Sequence, residues 1–321
     1  MDKVSTDAYN GIVVAHRRRF LEEGRDQNRF RIFSILASRH RVSRPELAEE
    51  TGLSRATIAV LVDELFDRGL AHPVGLGSSS GGRPPTLVEF NPNAAFALGA
   101  SMQDYQWTVV CTNLDGDIVD RETSAMSDHS PEAAVDAIST CVGKLRKRAC
   151  GDRLLPSIGV GTPGLVDMHS GVIVSAADMG WSNVAFEALV EEQIALPAII
   201  ANRSKVAALA EYWYASTTGV QDLIYVTVGT GVAAGIIHRG ELYLGTNSSA
   251  GELGHITVLP DGPACACGNR GCLQQLVSED AIAQRARVAL RASHDGALME
   301  AVGNHPEQLV ASQVLSAADA G

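Results

Sequence analysis

The spacing of apolar residues near the start of the chain predicts three helices. In NRFRIFSILASRH, the apolar side chains within residues 30–36 can form one helical face. The next stretch, VSRPELAEETGLSRATIAVLVDELFDRGL, contains two further helix starts. Ser43 and Glu46, three residues apart, match a capping box with Pro45 in the first turn, and Ser54 can cap the following helix.

A short turn that contains Gly52 separates the second and third of these helices. This arrangement predicts a helix-turn-helix, whose second helix enters the major groove of DNA with its N-terminal residues toward the base edges. We expect Arg55 to contact a guanine or a phosphate. A small helical bundle with a surface arginine is the alternative. The predicted DNA-contacting residues are Ser54, Arg55, Ala56 and Thr57.

The segment that follows, LAHPVGLGSSSGGRPPTLVEFNP, predicts a strand, a Gly/Ser-rich tip and a second strand. This is the pattern of a wing. Arg83 lies between glycines and prolines that cannot continue a helix, so the tip could present its guanidinium to a narrow minor groove. A plain linker between two domains is the alternative.

From about residue 95 onward, strand and helix patterns alternate, which predicts an α/β body. Asp115-Gly116 indicates a hairpin turn, and a helix is expected to begin at Pro131. Two small-residue turns, VGTPG and VGTGVAAG, follow strands and could let the backbone approach a ligand. We predict three parts, namely an N-terminal tail (1–26), a winged helix-turn-helix domain (27–92) and an α/β effector domain (93–321).

The predicted domains differ in net charge. The 321 residues carry a net charge of -11, but residues 1–92 contain 13 Lys and Arg against 12 Asp and Glu, which leaves 13 against 25 for the rest. A strongly acidic body does not bind nucleic acid non-specifically. Any contact with double-stranded DNA must therefore come from a localised basic face near the N-terminus.

No apolar run in the sequence resembles a signal peptide or a membrane span, so we expect a cytoplasmic protein. Cys265, Cys267 and Cys272 form the spacing C-x-C-x4-C, and His255 lies ten residues before the first of them. Disulfides are disfavoured in a reducing compartment, and a nucleophilic cysteine works as an isolated thiolate beside a base. These four residues instead suit a closed, tetrahedral Zn2+ site.

GELGH followed by CACGNRGC, together with GTPGLVD, GWSNV and VGTGVAAGII, resembles the ROK family of sugar kinases and sugar-responsive repressors. The leading helix-turn-helix and GRPP are similar to its transcriptional regulators of the NagC/XylR type. The resemblance implies an actin-like, two-lobed (ribonuclease H-like) ATPase-type fold behind the winged head, with zinc on the same four residues. The chain stops at VLSAADAG, where the family continues, so the C-terminal lobe is expected to be incomplete.

Two departures from the family pattern argue against an enzyme. ROK kinases carry an Asp-x-Gly-x-Thr phosphate loop, and Ser101 occupies the position of that aspartate. Their general-base aspartate follows an asparagine, and Arg203 occupies that position here. A guanidinium stays protonated and cannot accept the proton of a sugar hydroxyl. We therefore predict a DNA-binding regulator that is not an enzyme. An ATP-dependent sugar kinase is the alternative.

The resemblance also implies where an effector sugar would bind. Asp178 and Gln274 differ from the residues usual in the family, which leaves the identity of the sugar or sugar phosphate open. We expect a repressor of genes for carbohydrate uptake or catabolism that binds its operator as a homodimer. A scaffold that binds neither DNA nor sugar is a third interpretation. The predicted ligand contacts are Asp178, Asn202, Glu252, His255 and Gln274.

Overall fold

The computed structural model describes residues 26–76, 85–103, 105–214, 220–293 and 305–319. These residues form two compact units. The first, which we call the head unit, reaches to Ala97 and also includes Thr112–Val119 and Cys150–Leu155. The second, the body unit, contains the remaining described residues.

The head unit is a winged helix-turn-helix. Its three strands form an antiparallel sheet in the order β1-β3-β2. The pairing of β2 with β3 supports the predicted wing over a plain linker, while the tip that carries Arg83 lies outside the described residues. The elements are α1 (26–39), β1 (Arg41–Ser43), α2 (Arg44–Thr51), α3 (Arg55–Asp67), β2 (Ala71–Leu76) and β3 (Thr86–Phe90).

The predicted caps of α2 and α3 are confirmed. The Glu46 amide donates to Ser43 Oγ at 3.3 Å, and the Ser43 amide donates to Glu46 Oε2 at 2.8 Å, which completes the capping box. Ser54 Oγ accepts from the Thr57 amide at 3.1 Å. Gly52 ends α2 with a φ of 71°, a left-handed conformation that glycine adopts without a steric penalty.

The core of the head unit contains one residue from outside the predicted domain 27–92. Leu114, in the turn between two strands of the effector sheet, packs against this core, and its amide donates to the Pro92 carbonyl at 2.9 Å. Arg153 lies 4.7 Å over the ring of Phe96. The buried core residues are Ile32, Leu36, Val42, Leu47, Ile58, Leu61, Val62, Leu65, Ala71, Val88 and Phe90.

The effector part of the chain contains a five-stranded sheet in the order β11-β7-β4-β5-β6, in which β7 and β11 run parallel. The predicted turn at Asp115-Gly116 joins β5 to β6, and the predicted helix α4 begins at Pro131, capped by Ser130. Helices α4 and α5 pack on each other. The elements are β4 (Phe96–Gln103), β5 (Gln106–Thr112), β6 (Ile118–Ala125), α4 (Pro131–Leu145), β7 (Leu154–Thr162), α5 (Phe186–Ile194) and β11 (Ala198–Asn202).

Two three-stranded sheets, with the orders β10-β9-β8 and β12-β13-β14, complete the strands of the described body unit. Helix α6 packs on β12 and β13. No helix among the described residues is both long and apolar enough to span a bilayer. The elements are β8 (Leu165–Asp167), β9 (Val172–Ala176), β10 (Trp181–Val184), α6 (Arg203–Tyr214), β12 (Leu223–Val228), β13 (Val232–His238), β14 (Glu241–Leu242), α7 (Gln274–Val277), α8 (Glu279–Ser293) and α9 (Ala311–Asp319).

Candidate ligand cavity, metal centre and DNA-reading helix

A cavity of about 350 Å³ in the body unit brings together all the residues predicted to contact a sugar. Its volume falls within the range of small-ligand pockets, roughly 300–1,000 Å³. The two small-residue turns predicted to approach a ligand also line it, through Gly164 and Gly231. The predicted contact residues on its wall are Asp178, Asn202, Glu252, His255 and Gln274.

The side chain of Asn202 makes hydrogen bonds to the protein backbone at the cavity wall. Its side-chain nitrogen donates to the Gly164 carbonyl at 2.7 Å, and its side-chain oxygen accepts from the Ser204 amide at 2.9 Å. One N–H and one lone pair remain for a ligand. Asn202 therefore joins the end of β11 to the glycine turn after β7 and fixes the shape of the site.

Sequence reasoning rejected Arg203 as a base but did not predict another role for it. Arg203 is the first residue of α6, is half-buried and lines the cavity. The residue types and spacing indicated only that a proton acceptor was absent. The position of the side chain depends on how β11 and α6 meet in the folded chain, which no local pattern encodes.

Lys205, two residues further along α6, is 1% exposed and was also not predicted to matter. Its Nζ donates to the carbonyl of Ser248, in the loop before Glu252. Burial lowers the pKa of Lys205, and the nearby Glu252 carboxylate partly opposes this shift. Lys205 does not line the cavity, and its hydrogen bond ties α6 to the loop that carries Glu252.

The predicted metal ligands form a compact cluster. One ligand atom from each residue can be chosen so that all of them lie within 4.8 Å of one another. Cys267 Sγ and Cys272 Sγ are 3.6 Å apart. Two sulfurs at about 2.3 Å from a tetrahedral zinc lie roughly 3.8 Å from each other, so the spacing fits such an ion. The cluster is His255, Cys265, Cys267 and Cys272.

The cysteine thiols of the cluster differ in how readily they ionise. Burial opposes ionisation of Cys265, but hydrogen bonds from Cys267 and His255 outweigh it and lower its pKa to about 6. Burial and the neighbouring sulfurs raise the pKa of Cys272 to about 12. A divalent cation would remove this conflict, because it stabilises crowded thiolates.

Local backbone geometry closes the loop 255–272, which carries the predicted metal ligands. Gly271 has a φ of 62°, and a Cβ there would lie 1.5 Å from the Leu259 carbonyl oxygen, so a side chain cannot be accommodated without moving the loop. The side-chain nitrogens of Gln274 and Gln275 lie 3.6 and 3.7 Å from Cys265 Sγ. Two side-chain amides from α7 therefore lie beside Cys265, one of the predicted metal ligands.

His255 belongs to both the cluster and the cavity. Its Nδ1 lies 3.6 Å from Cys265 Sγ, and His255 is also one of the residues that line the cavity. Metal bound at one ring nitrogen leaves the other as an N–H donor. The two roles that the sequence predicts for His255 are therefore compatible on a single side chain.

The predicted DNA-contacting residues lie at the N-terminal end of α3. Ser54, Arg55 and Ala56 are exposed, but the Ser54 hydroxyl is used to cap the helix and lies 2.8 Å from Thr57 Oγ1. Arg55 makes no ion pair with a described residue. Sequence reasoning missed Val60, which is 53% exposed one turn after Ala56 and therefore shares its helix face.

Comparison with known proteins follows the same two-part division. The ROK family pattern matches residues 103–320, and a winged helix-turn-helix DNA-binding pattern matches residues 25–70. The first match covers more than half of the chain. The chain belongs to the ROK family, and its fold is a winged helix-turn-helix followed by the actin-like, kinase-type ROK fold.

Both branches of the family are represented among similar proteins. The chain is 31% identical over 260 residues to the xylose repressor of Caldicellulosiruptor bescii, an alignment that covers 79% of this chain and 64% of the repressor. It is 39% identical over 167 residues to the glucokinase of Halalkalibacterium halodurans, covering 52% of this chain and 50% of the kinase.

Among solved structures, a ROK family transcriptional regulator described as a homologue of the Escherichia coli MLC protein aligns with a TM-score of 0.78 at 25% identity. The alignment covers 92% of this chain and 74% of that regulator. The chain spans somewhat less than two thirds of the length of the curated xylose repressors that it matches.

Proposed function

We propose that the protein is a sugar-responsive transcriptional repressor of genes for carbohydrate uptake or catabolism, acting in the cytoplasm. The observation that carries this proposal is the exposed N-terminal end of α3, where Arg55 has no ion-pair partner among the described residues, in a head unit joined to a body unit that contains a sugar-sized cavity. Similarity to repressors supports it.

On DNA, α3 would enter the major groove and place Arg55 and Ala56 at base edges, with Arg83 of the wing tip in the adjacent minor groove. Thr57 and Ser54 would act mainly by holding the start of the helix. A homodimer would bind two half-sites separated by about one helical turn or a multiple of it. A sugar that binds one state of the body better than another would change DNA affinity by that difference.

Zn2+ is the metal that we assign to His255, Cys265, Cys267 and Cys272, on the basis of the donor set and the sulfur spacing. A site with four protein ligands has no open position for a reacting group, so the ion would be structural. It would hold the loop 255–272 against α7 and keep His255 at the cavity.

We further propose that the protein transfers no phosphoryl group. Ser101 and Arg203 stand where the family pattern has its phosphate-loop and general-base aspartates. The guanidinium of Arg203 cannot accept a proton at neutral pH, and the hydroxyl of Ser101 lacks the negative charge of the phosphate-loop carboxylate. A coupled ADP-release assay across common hexoses should show no turnover, and turnover would instead support the kinase alternative.

The test of DNA binding is a selection of genomic fragments by the zinc-loaded chain, followed by gel shifts on the recovered sites. Arg55→Ala should lose sequence preference, at a cost of about 1–3 kcal/mol per lost base contact, while its zinc content stays unchanged. Arg121→Ala, which removes an exposed arginine from β6, is the matched control and should bind as the wild type does. Equal enrichment of all fragments by the wild-type protein would refute the proposal.

A further inference from the structure

Arg203 is the one lysine or arginine among the described residues that line the cavity. Lys205 follows it on α6, but its Nζ is buried and donates to the Ser248 carbonyl instead. The cavity therefore has a single permanent positive charge on its wall. That charge stands on a different element from Asp178 and Glu252, the acidic residues that also line the cavity.

The guanidinium of Arg203 is poorly satisfied. Its one side-chain hydrogen bond to the described chain runs from Nη1 to the Met102 carbonyl at 3.5 Å, the long limit for such a contact. No carboxylate of the described residues lies within ion-pair distance of it. By contrast, Arg148, which is more exposed, makes contacts of 2.6–2.8 Å to Asp120 and Glu122.

A guanidinium has five N–H donors, and the described residues accept a hydrogen bond from only one side-chain nitrogen of Arg203. Burying part of a charge without a counter-ion costs free energy, which a bound anion would offset.

The surroundings of Arg203 also favour an anion. It stands at the amino end of the 12-residue helix α6, where the helix dipole is positive, and the first turn of that helix contains no acidic residue. By contrast, helices α4 and α8 carry acidic residues in their first turns, which is the arrangement that the helix dipole favours. The amino end of α6 and the guanidinium of Arg203 thus both carry positive charge. No acidic side chain among the described residues forms an ion pair with this guanidinium.

The remaining polar groups of the cavity suit sugar hydroxyls. Asp178 and Glu252 can accept hydrogen bonds from hydroxyl groups, and Gln274 can both donate and accept. An arginine matches a carboxylate or a phosphate through two parallel N–H bonds, a geometry that a neutral hydroxyl cannot use fully. The cavity therefore offers acceptors for a polyol and, separately, a fork for an anionic group.

We infer that the effector is an anionic sugar, that is, a monosaccharide that carries a carboxylate or a phosphate, with its anionic group held by Arg203 and its hydroxyls by Asp178 and Glu252. This inference rests on the proposed function, because it takes the cavity as the effector site. It gives the residue that departs from the kinase pattern a binding role in this chain.

The test is calorimetric titration of the zinc-loaded chain with matched sets of sugars. Each set contains a neutral hexose, its uronate and its 6-phosphate, in the gluco, galacto and manno series, with inorganic phosphate and acetate as anions without a sugar. At least one anionic member should bind about ten- to a hundredfold more tightly than its neutral parent. The uronate and 6-phosphate arms distinguish the two sources of the anion.

Arg203→Gln should remove this preference, so that the anionic sugar and its neutral parent bind within about twofold of each other. Arg203→Lys keeps the charge but not the fork and should retain only part of the preference. Zinc content and the circular dichroism spectrum establish that each variant is folded. Arg121→Gln, on β6, is the control and should keep the full preference.

Three results would overturn the inference. Neutral hexoses could bind as tightly as both of their anionic derivatives, Arg203→Gln could leave the preference intact, or no member of any set could bind more tightly than about millimolar. In each case, sequence-selective DNA binding by the same preparation would leave the DNA-reading part of the proposed function standing. Loss of that selectivity, with anionic sugars still bound, would refute the proposed function instead.

Discussion

At the scale of single residues, the predicted metal ligands show how much a short segment can reveal. The ligands lie within residues 255–272, so their spacing in the sequence already limits how they can meet in space. The predicted cavity residues are spread from Asp178 to Gln274; Glu252 and His255 can be paired from the sequence alone, and a resemblance to a known family was needed to add the others. No pattern in the sequence indicated a binding role for Arg203, because that role is inferred from the few contacts that the described residues of the folded chain make with it.

Removal of one cluster ligand should release the metal. On the proposed zinc assignment, we expect one zinc per wild-type chain and much less in Cys272→Ser, because a tetrahedral site with three strong ligands remaining holds the ion far less tightly. Mass spectrometry of metal content checks this. Cys141→Ala changes a buried cysteine of α4 outside the cluster and should keep its zinc. Full metal retention in Cys272→Ser would contradict the assignment of this ligand.

At the scale of secondary-structure elements, the sequence was most informative where capping residues mark a boundary. Ser43, Glu46 and Ser54 define the starts of α2 and α3 from residue type and spacing alone, because their side chains bond to the backbone close by. The start of α6 has no such signal. Asn202 bonds to the Ser204 amide, but its other bond reaches Gly164, which only the tertiary fold brings near.

Ser43→Ala should loosen α2, because it removes the acceptor for the Glu46 amide, at a cost of about 1 kcal/mol. Hydrogen exchange of peptides from residues 44–51 measures this. Ser38→Ala is the matched control, since its hydroxyl bonds only to the Ile35 carbonyl on the surface of α1. Unchanged exchange in Ser43→Ala would mean that packing alone holds the helix.

The same capping box has a defined pH dependence. Hydrogen bonds from Ser43 lower the pKa of Glu46 below its usual value of 4.5. Because the folded-state pKa is the lower one, the stabilisation is complete above about pH 4.5 and is lost as the pH falls through the folded value. Exchange rates of residues 44–51 should therefore rise more in the wild type than in Glu46→Gln between pH 5 and 3, after correction for intrinsic exchange.

At the scale of the whole molecule, the boundary predicted at residue 92 does not coincide with the division into compact units. Thr112–Val119 and Cys150–Leu155 belong to the head unit by their contacts, although the chain places them within the effector part. Composition and charge change near residue 92, and these were the signals available from the sequence. Long-range packing leaves no comparable mark, because Leu114 resembles any apolar residue near a turn.

Leu114→Ala should destabilise the head unit by about 1–2 kcal/mol, less than the roughly 2–5 kcal/mol typical of a fully buried leucine, because this side chain is only half-buried. Hydrogen exchange in β3 should accelerate about five- to thirtyfold. Ile118→Ala, at the start of β6 just after this turn, is the control, since Ile118 is 51% exposed. Acceleration of equal size in both variants would show that Leu114 has no special place in the head core.

The contribution of Leu114 to the head core also affects how this protein can be recombined with others. A chimera joined at residue 92 would carry the winged helix-turn-helix away without Leu114, which packs against its core, and the new effector would place the residues of its own first hairpin there. Transfer of the intact head unit therefore requires three segments: the N-terminal part up to Ala97, Thr112–Val119 and Cys150–Leu155.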